Sequence, residues 1–245
     1  MSDFSYFAVG FFILFGITCV LPVREVQPVM ASFNKLIDVG TDDCEESSGG
    51  TYSDTVDKVR LQRTGNFKYI GWRFTNVTIP QGSVIDAADV DWHRNSHDCI
   101  SGAQCTVFIN GVDVDDAAVW SSGNKPSVQT LTTANKLYLL GVSDVTVLIG
   151  CGTNITQDVQ NIIQEIIDRS GWSSGNALSI VLRAGSGPDF CATCFIDYDM
   201  YDKIPFLGSE GDCAAELIIS YTPPALDEPA GGFVDSITRL GLPGF

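Results

Sequence analysis

The sequence is poor in positive charge and in histidine. Its 245 residues include 14 Lys and Arg against 30 Asp and Glu, which gives a net charge of −16, and there are only 2 His. A surface of that sign repels phosphate groups, so it argues against a nucleic-acid-binding groove. The sequence also lacks an H-E-x-x-H zinc motif and a phosphate-binding loop. We therefore expect no nucleic-acid partner and no enzymatic activity.

One long apolar run, Phe4 to Leu21, stands near the N terminus and carries no charge. It is just long enough to span a bilayer and somewhat long for the apolar core of a signal peptide. Either role would direct the rest of the chain out of the cytoplasm. If the run is retained, it is a membrane anchor or the buried core of an assembly. Residues 1–22 are therefore predicted to be a signal, anchor or assembly segment.

Short segments that alternate apolar and polar residues make up most of the remaining chain. About eight to ten such segments, separated by turn-forming residues, are typical of a β-sandwich or a jelly roll. The predicted strands are 56–61, 69–74, 84–90, 106–109, 136–140, 145–149, 178–182 and 216–221. We accordingly divide the chain into a connector (23–37), a β-sandwich domain (38–221) and a Pro/Gly linker with an apolar C-terminal tail (222–245).

One segment has the periodicity of a helix instead. Its apolar residues recur at i, i+3, i+4, i+7 and i+8, which places them on one helical face. They are Val159, Ile162, Ile163, Ile166 and Ile167. Thr156 is predicted to cap the helix, and Arg169 and Gly171 suit its end. The predicted fold class is therefore all-β, a single jelly-roll-like sandwich with one short helix.

Three blocks and a terminal strand resemble a β-sandwich module that recurs in large secreted and surface proteins, mostly bacterial. The blocks are T-D-D-C-E-E-S-S-G-G from Thr41, I-G-W-R-F-T-N-V-T-I-P-Q-G-S-V-I from Ile70, the helical block Gln157 to Leu182, and A-A-E-L-I-I-S-Y ending at Tyr221. The resemblance covers about Asp38 to Tyr221 and implies a non-catalytic module, similar to carbohydrate-binding and adhesive modules. The sequence departs from it in its cysteines, in an acidic loop at Asp86 to Asp98 and in an insertion from Phe190 to Cys213.

Eight cysteines indicate disulfides in an oxidising compartment. Cys99 and Cys105 flank a short loop and are the most plausible local bridge. Cys191 and Cys194 form a C-x-x-C pair that lacks the context of a zinc or redox site, so it is predicted to form a structural disulfide, within the motif or to other cysteines. Cys44 and Cys213, the last two predicted disulfide cysteines, lie near the first and last strands, which often neighbour each other.

Carboxylates cluster in several loops, and calcium takes six to eight oxygen ligands from such clusters. Calcium is therefore the predicted cofactor, with simple surface charge as the alternative. The proposed ligands are Asp42, Asp43, Glu45, Asp197 and Asp199.

Exposed aromatic side chains would let the module bind glycans by stacking. The candidates are Trp92, Trp120 and Tyr201. Two N-x-[ST] sequons, at Asn76 and Asn154, would be glycosylated if the chain enters a glycosylating secretory pathway.

The favoured function is a non-catalytic extracellular structural or adhesive protein. It would be a subunit of a surface appendage, coat or particle that self-associates through its terminal segments. The alternatives are a carbohydrate-binding module, a viral structural protein and a hydrolase with an unrecognised carboxylate pair. The predicted location is secreted, on a cell surface or in a virion.

Overall fold

The structure, a computed structural model, describes residues 29–55, 58–62, 67–98, 105–140, 153–184, 195–199 and 213–225. The apolar run Phe4 to Leu21, the predicted strand 145–149 and the C-terminal tail from residue 226 lie outside these ranges. In chain order the strands and the helix are β1 Ala31–Leu36, β2 Asp43–Ser47, β3 Tyr52–Ser53, β4 Lys58–Gln62, β5 Phe67–Phe74, β6 Val84–Asp98, β7 Cys105–Val112, β8 Leu131–Leu140, β9 Thr153–Asp158, α1 Gln160–Ile167, β10 Leu178–Ala184, β11 Phe195–Asp199 and β12 Glu216–Thr222.

The strands form two antiparallel sheets with the order of a jelly roll. Sheet A runs β1-β12-β6, with β9 on the other side of β6, and sheet B contains β5-β10-β7-β8. Numbered along the chain, these eight strands lie in the orders 1-8-3-6 and 2-7-4-5, which is the jelly-roll arrangement of two Greek keys. The short strands β2 and β3 extend sheet B beside β5, and β11 and β4 continue sheet A along the second half of β6. The predicted all-β, jelly-roll-like sandwich is confirmed.

Two segments differ from their predicted roles. The segment Asp86 to Asp98, predicted as an acidic loop although the predicted strand 84–90 overlaps it, lies within β6 and pairs with β12, β9 and β11. Its carboxylates alternate with inward-facing residues such as Val90 and Trp92, so the charge belongs to the outer face of a strand. The predicted connector 23–37 contains β1, which pairs with β12 from Ala31 to Leu36. This part of the connector therefore belongs to the sandwich.

Aromatic and branched side chains fill the space between the sheets. Trp72 of β5 and Trp92 of β6 are both fully buried, and their ring centroids lie 5.3 Å apart. Trp92 also meets the ring of Tyr138 edge-on at 6.0 Å. Because the strands carrying these rings belong to both sheets, the aromatic cluster ties the two layers of the sandwich together.

The helix buries the predicted face but begins differently. All four isoleucines of the periodic pattern, together with Val159, are buried. Thr156 is not the cap, because β9 continues to Asp158 and leaves only Val159 before α1. The side chain of Asp158 instead accepts a hydrogen bond from the backbone N–H of Gln160 at 2.9 Å. The capping prediction was therefore wrong because strand pairing with β6 extends further than the local sequence suggests.

Polar side chains of α1 bond to irregular positions in both sheets. In sheet A, Gln164 accepts from the backbone N–H of Ile85 at 2.8 Å, and Gln160 donates to the Ile85 carbonyl at 2.7 Å. In sheet B, the two carboxylate oxygens of Glu165 accept from the backbone N–H groups of Thr133 and Ala134, each at 2.7 Å. Both places lie beside a shift in strand register. The helix thus supplies the hydrogen bonds that strand pairing leaves unmade there.

Close packing of α1 on β7 requires a glycine at position 111. A Cβ at Gly111 would lie 2.7 Å from Ile166 Cδ1 and 2.9 Å from Ile162 Cγ2. We expect Gly111→Ala to lower the free energy of unfolding by about 1–3 kcal/mol, because the extra methyl overpacks the helix interface. Gly123→Ala is the matched control, since a Cβ there meets nothing within 4 Å. Denaturant unfolding measures both, and equal stability of the two variants would contradict this packing.

Candidate functional site

Residues 113–130, here called the covering segment, lie against the outer face of sheet B. Trp120 of this segment sits on Gly71 of β5, where a Cβ would approach the indole ring to 2.7 Å. Trp120, Cys44, Val112 and Val181 form a second apolar cluster, separate from the main core. Sheet B is therefore covered on both faces. Gly71 stands between the buried residues Ile70 and Trp72, and a glycine inside a strand can indicate that another group packs closely on that face.

Charged residues of sheet B hold the covering segment in place. Arg73 donates to the Ala117 carbonyl and to Asp42, each at 2.7 Å. Glu46 accepts hydrogen bonds from the backbone and the hydroxyl of Ser127 and pairs with Lys125 at 3.0 Å. Asp42 and Glu46 are both buried. Buried charges of this kind are strongly unfavourable unless paired, so these acids have a structural explanation.

The proposed calcium ligands do not come together. Asp42, Asp43 and Glu45 lie in or beside β2 at the edge of sheet B, and Asp42 is engaged by Arg73. Asp197 and Asp199 lie on β11 in sheet A. In the ranges that the structure describes, no three His, Cys, Asp or Glu side chains are grouped to hold a metal ion. The described residues therefore do not fit the predicted calcium site.

The predicted glycan-stacking residues are wrong for the two that are described. Trp92 is 0% exposed, because it packs against Trp72 between the sheets, and Trp120 is 3% exposed, because it packs onto sheet B. Neither ring presents a face to a sugar. Tyr201 lies outside the described residues. The alternation of apolar and polar residues along the strands does not show that the covering segment packs on the outer face of sheet B, so the burial of Trp120 was not predicted.

Cys44 is a buried free thiol, which corrects its predicted disulfide. Burial raises the pKa of this thiol far above its usual range. Cys213 is disulfide-bonded, as predicted, although not to Cys44. Cys99, Cys191 and Cys194 lie outside the described residues, and Cys105 is described only as part of β7. The Cys44 prediction failed because Cys44 packs with Trp120 and Val181 on the outer face of sheet B, whereas Cys213 precedes β12 of sheet A.

The two sequons occupy different structural settings. Asn76 lies in the turn after β5, is exposed, and has a left-handed backbone with φ 53. Asparagine tolerates that conformation better than most residues. Asn154 lies within β9, opposite His93, rather than in a turn before the helix. Their glycosylation stays a prediction.

The pentapeptide Gly171-Trp172-Ser173-Ser174-Gly175 matches the G-x-S-x-G pattern of hydrolase nucleophiles. In those enzymes the serine lies on a sharp turn from a strand into a helix. Here the order is reversed, because the pentapeptide follows α1 and precedes β10. The indole of Trp172 is buried and donates to the Ile79 carbonyl at 2.9 Å. The match therefore reflects loop packing rather than a nucleophile elbow.

The other unusual surface is the β1 flank, defined as residues 29–39. Among the described strands, β1 pairs only with β12, so its second edge is open. Four large apolar side chains in the β1 flank are exposed: Val29 by 79%, Met30 by 64%, Leu36 by 40% and Val39 by 46%. These are half of the eight exposed large apolar residues in the described part of the chain. Apolar exposure is therefore concentrated at one open sheet edge.

Comparisons with known proteins give no family. No protein-family model and no curated protein matches the chain. Eleven chains of solved structures match. One, titled desmodium yellow mottle tymovirus, aligns with 94% of this chain and 100% of its own at 13% identity and a TM-score of 0.29. A score this low does not establish a common fold, and the resemblance to the secreted sandwich module stays a prediction.

Within the ranges that the structure describes, no helix combines the length and the apolar character needed to cross a bilayer. The apolar run Phe4 to Leu21 lies outside those ranges.

The raised pKa of Glu45 makes the stability of the fold depend on pH. Glu45 lies on the interior face of β2, opposite Ile70, and burial raises its pKa from 4.5 to about 7. The folded chain then holds this proton more tightly than the unfolded chain. Its contribution to stability is complete below pH about 4.5 and is lost as the pH rises through about 7.

Glu45→Gln removes this titration and keeps the side-chain shape. We expect the variant to gain stability relative to the natural chain as the pH rises from about 4.5 to 7. Urea unfolding of both proteins at several pH values measures the difference, and taking the difference cancels groups that titrate alike in both. A difference that stays constant over this interval would exclude the assigned titration.

Proposed function

We propose that this chain is a non-catalytic structural subunit that assembles with copies of itself into a coat or particle. The observation that carries the proposal is the β1 flank, where an open strand edge and four exposed apolar side chains occur together. A single exposed apolar residue needs no explanation, but a group of them marks an interaction surface.

An open edge presents unpaired backbone N–H and C=O groups that another strand can pair with. Proteins that do not use such an edge commonly protect it with charges, prolines or bulges. β1 contains one charged residue, Lys35, and no proline, and its pairing with β12 shows no register shift. The β1 flank therefore has the character of a surface that a second copy covers.

The charge of the chain restricts how copies can meet. A net charge of −16 makes identical surfaces repel each other over most of their area. Salt shortens that repulsion to about 8 Å at physiological ionic strength, while apolar contacts keep their strength. Assembly through the β1 flank should consequently strengthen as the salt concentration rises.

The terminal segments would add further contacts between copies. The apolar run Phe4 to Leu21 precedes the β1 flank, and the C-terminal tail follows the β12 end of the same sheet. We place the assembled protein outside the cytoplasm, on a cell surface or in a virion. Jelly rolls form both viral capsids and lectins, so the fold class alone does not choose between a coat and a binding module. The loss of both described glycan-stacking indoles to the interior favours the coat.

Light scattering on the full chain at several salt concentrations tests the proposal. We expect assemblies larger than one chain, and we expect Met30→Asp to reduce the assembled fraction. Burial of a methionine side chain contributes about 1.5–3 kcal/mol, which corresponds to about tenfold or more in the association constant. The matched control is Leu137→Asp, which places a carboxylate at another exposed apolar residue, on β8 of the other sheet.

Equal losses in the two variants would remove the β1 flank as the assembly surface. A natural chain that stays monomeric at every concentration and salt level would sink the proposed function itself. Far-ultraviolet circular dichroism of both variants checks that each keeps its strands, so that an unfolded variant is not mistaken for one that fails to assemble.

A further inference from the structure

The pairing of β1 with β12 determines which backbone groups the open edge of β1 presents. Ile37, just after β1, donates its backbone N–H to the Ala215 carbonyl at 3.0 Å, in register with the pair Ala31 and Tyr221. Along an antiparallel strand, the backbone groups of successive residues point to opposite sides. The odd-numbered residues of β1 therefore bond to β12, and the even-numbered residues present their N–H and C=O groups at the open edge. The latter are Ser32, Asn34 and Leu36.

The β1 flank carries no net charge, although the whole chain has a net charge of −16. Its charged residues are Lys35 and Asp38, and they form an ion pair with each other at 2.6 Å. Two β1 flanks can therefore meet without the repulsion that the acidic remainder of the chain imposes on other contacts between copies.

The edge strand β8 of the other sheet is less suited to strand addition. Among the described strands it pairs only with β7, so its second edge is also open. At its start, however, the Glu165 carboxylate of α1 accepts from the backbone N–H groups of Thr133 and Ala134. Covering an edge with a helix is one way in which proteins prevent strand addition. The pairing of β1, by contrast, is regular from Ala31 to Leu36.

Two antiparallel β1 strands have one register that pairs all of their open-edge residues. Asn34 stands midway between Ser32 and Leu36. A twofold axis at Asn34 places Ser32 opposite Leu36 of the second copy and Asn34 opposite Asn34 of that copy. Each pair is of the kind that exchanges two hydrogen bonds. A shift by two residues in either direction leaves one open-edge residue of each β1 without a partner in the other.

The same register brings exposed apolar residues together at both ends of the strand pair. Val29 of one copy comes level with Val39 of the other, and the twofold axis repeats this contact. In the single chain Val29 is 79% exposed and Val39 is 46% exposed, and the backbone at Val39 is extended. The β1 flank is therefore complementary to itself, as a twofold interface requires.

We propose that two copies of this chain pair their β1 strands antiparallel about a twofold axis at Asn34, which joins their A sheets into one continuous sheet. This inference rests on the proposed function and identifies the partner of the β1 flank as the β1 flank of a second copy. The pairing occupies the open edges of both strands, so growth from this dimer to a particle uses other surfaces.

Engineered cysteines in the full-length chain test the register. Asn34→Cys places two new thiols opposite each other with Cα atoms about 5.5 Å apart, a distance that a disulfide spans. We expect a covalent dimer on a non-reducing gel after incubation in a glutathione redox buffer. Ser32→Cys is the matched control, because its two thiols are offset by about 14 Å along the strands, beyond the reach of a disulfide. The natural chain gives the background of its own cysteines.

A double variant checks the same register away from the axis. Ser32→Cys combined with Leu36→Cys should restore the covalent dimer that Ser32→Cys alone does not form, because each new thiol then faces one in the other copy. Within one chain the two positions are about 13 Å apart, so they cannot bridge each other.

Proline and alanine at residue 34 separate backbone pairing from side-chain contact. Asn34→Pro removes an N–H at the open edge and leaves the bonds between β1 and β12 in place. It should raise the dimer dissociation constant at least about tenfold, because two hydrogen bonds across the axis are lost. Asn34→Ala keeps the N–H and should change the constant about twofold or less. Analytical ultracentrifugation measures both constants, and circular dichroism checks that each variant keeps its strands.

These results decide the inference separately from the proposed function. A covalent dimer in Asn34→Cys or in the double variant, with none in Ser32→Cys, supports the register. Absence of the dimer in both, or an equally abundant dimer in Ser32→Cys, overturns it, and equal effects of proline and alanine overturn the backbone pairing. Larger assemblies in light scattering would still support the proposed function after either result, whereas a natural chain that stays monomeric contradicts both.

Discussion

The sandwich depends on one short helix that bonds to both of its sheets. An eight-residue helix has little stability of its own, so its order comes from burying its isoleucines against the sheets. Its polar side chains in turn form hydrogen bonds to backbone groups that lack a partner in the neighbouring strand. Gln160 and Gln164 bond to the backbone of sheet A, and Glu165 bonds to the backbone of sheet B. Each sheet therefore keeps its irregular position only while the helix is docked, and the helix persists only while both sheets are present. This mutual requirement makes the end of the sandwich a single cooperative unit.

A second layer of organisation lies outside the sandwich. The covering segment turns the outer face of sheet B into an interior, with Trp120 on Gly71 and buried ion pairs at its borders. Two acids in or beside β2 are held in this way, because Asp42 bonds to Arg73 and Glu46 bonds to Ser127 and Lys125. Sheet A carries the β1 flank, where an open strand edge and four exposed apolar side chains occur together.

Local patterns predicted local structure well. The spacing of Ile162, Ile163, Ile166 and Ile167 identified the buried helical face, because burial of that face requires only the helical period. The period-two pattern of Asp89, Val90, Asp91 and Trp92 was also present, but the predicted strand ended at Val90, because the carboxylates that follow were assigned to an acidic loop.

Features that depend on distant pairing could not be predicted in this way. Thr156 was expected to cap a helix, yet it lies in β9 and pairs with Asp91 of β6. Cys44 and Cys213 were predicted to form disulfides because they lie near the first and last strands, yet Cys44 is a free thiol packed on the outer face of sheet B. Trp120 resembles an exposed aromatic in sequence because nothing near it in the chain shows that a sheet lies beneath it.

The pairing of β1 with β12 has a consequence for synthesis. Ala31 pairs with Tyr221, so β1, the first of the described strands to leave the ribosome, must wait for β12, the last of them, before that edge is covered. During that interval β1 offers two open edges and the apolar residues of its flank to any neighbouring nascent chain. When β12 pairs with β1, one edge of β1 is covered and the other stays open among the described strands. A growing chain therefore exposes both edges of β1, whereas the folded subunit exposes one.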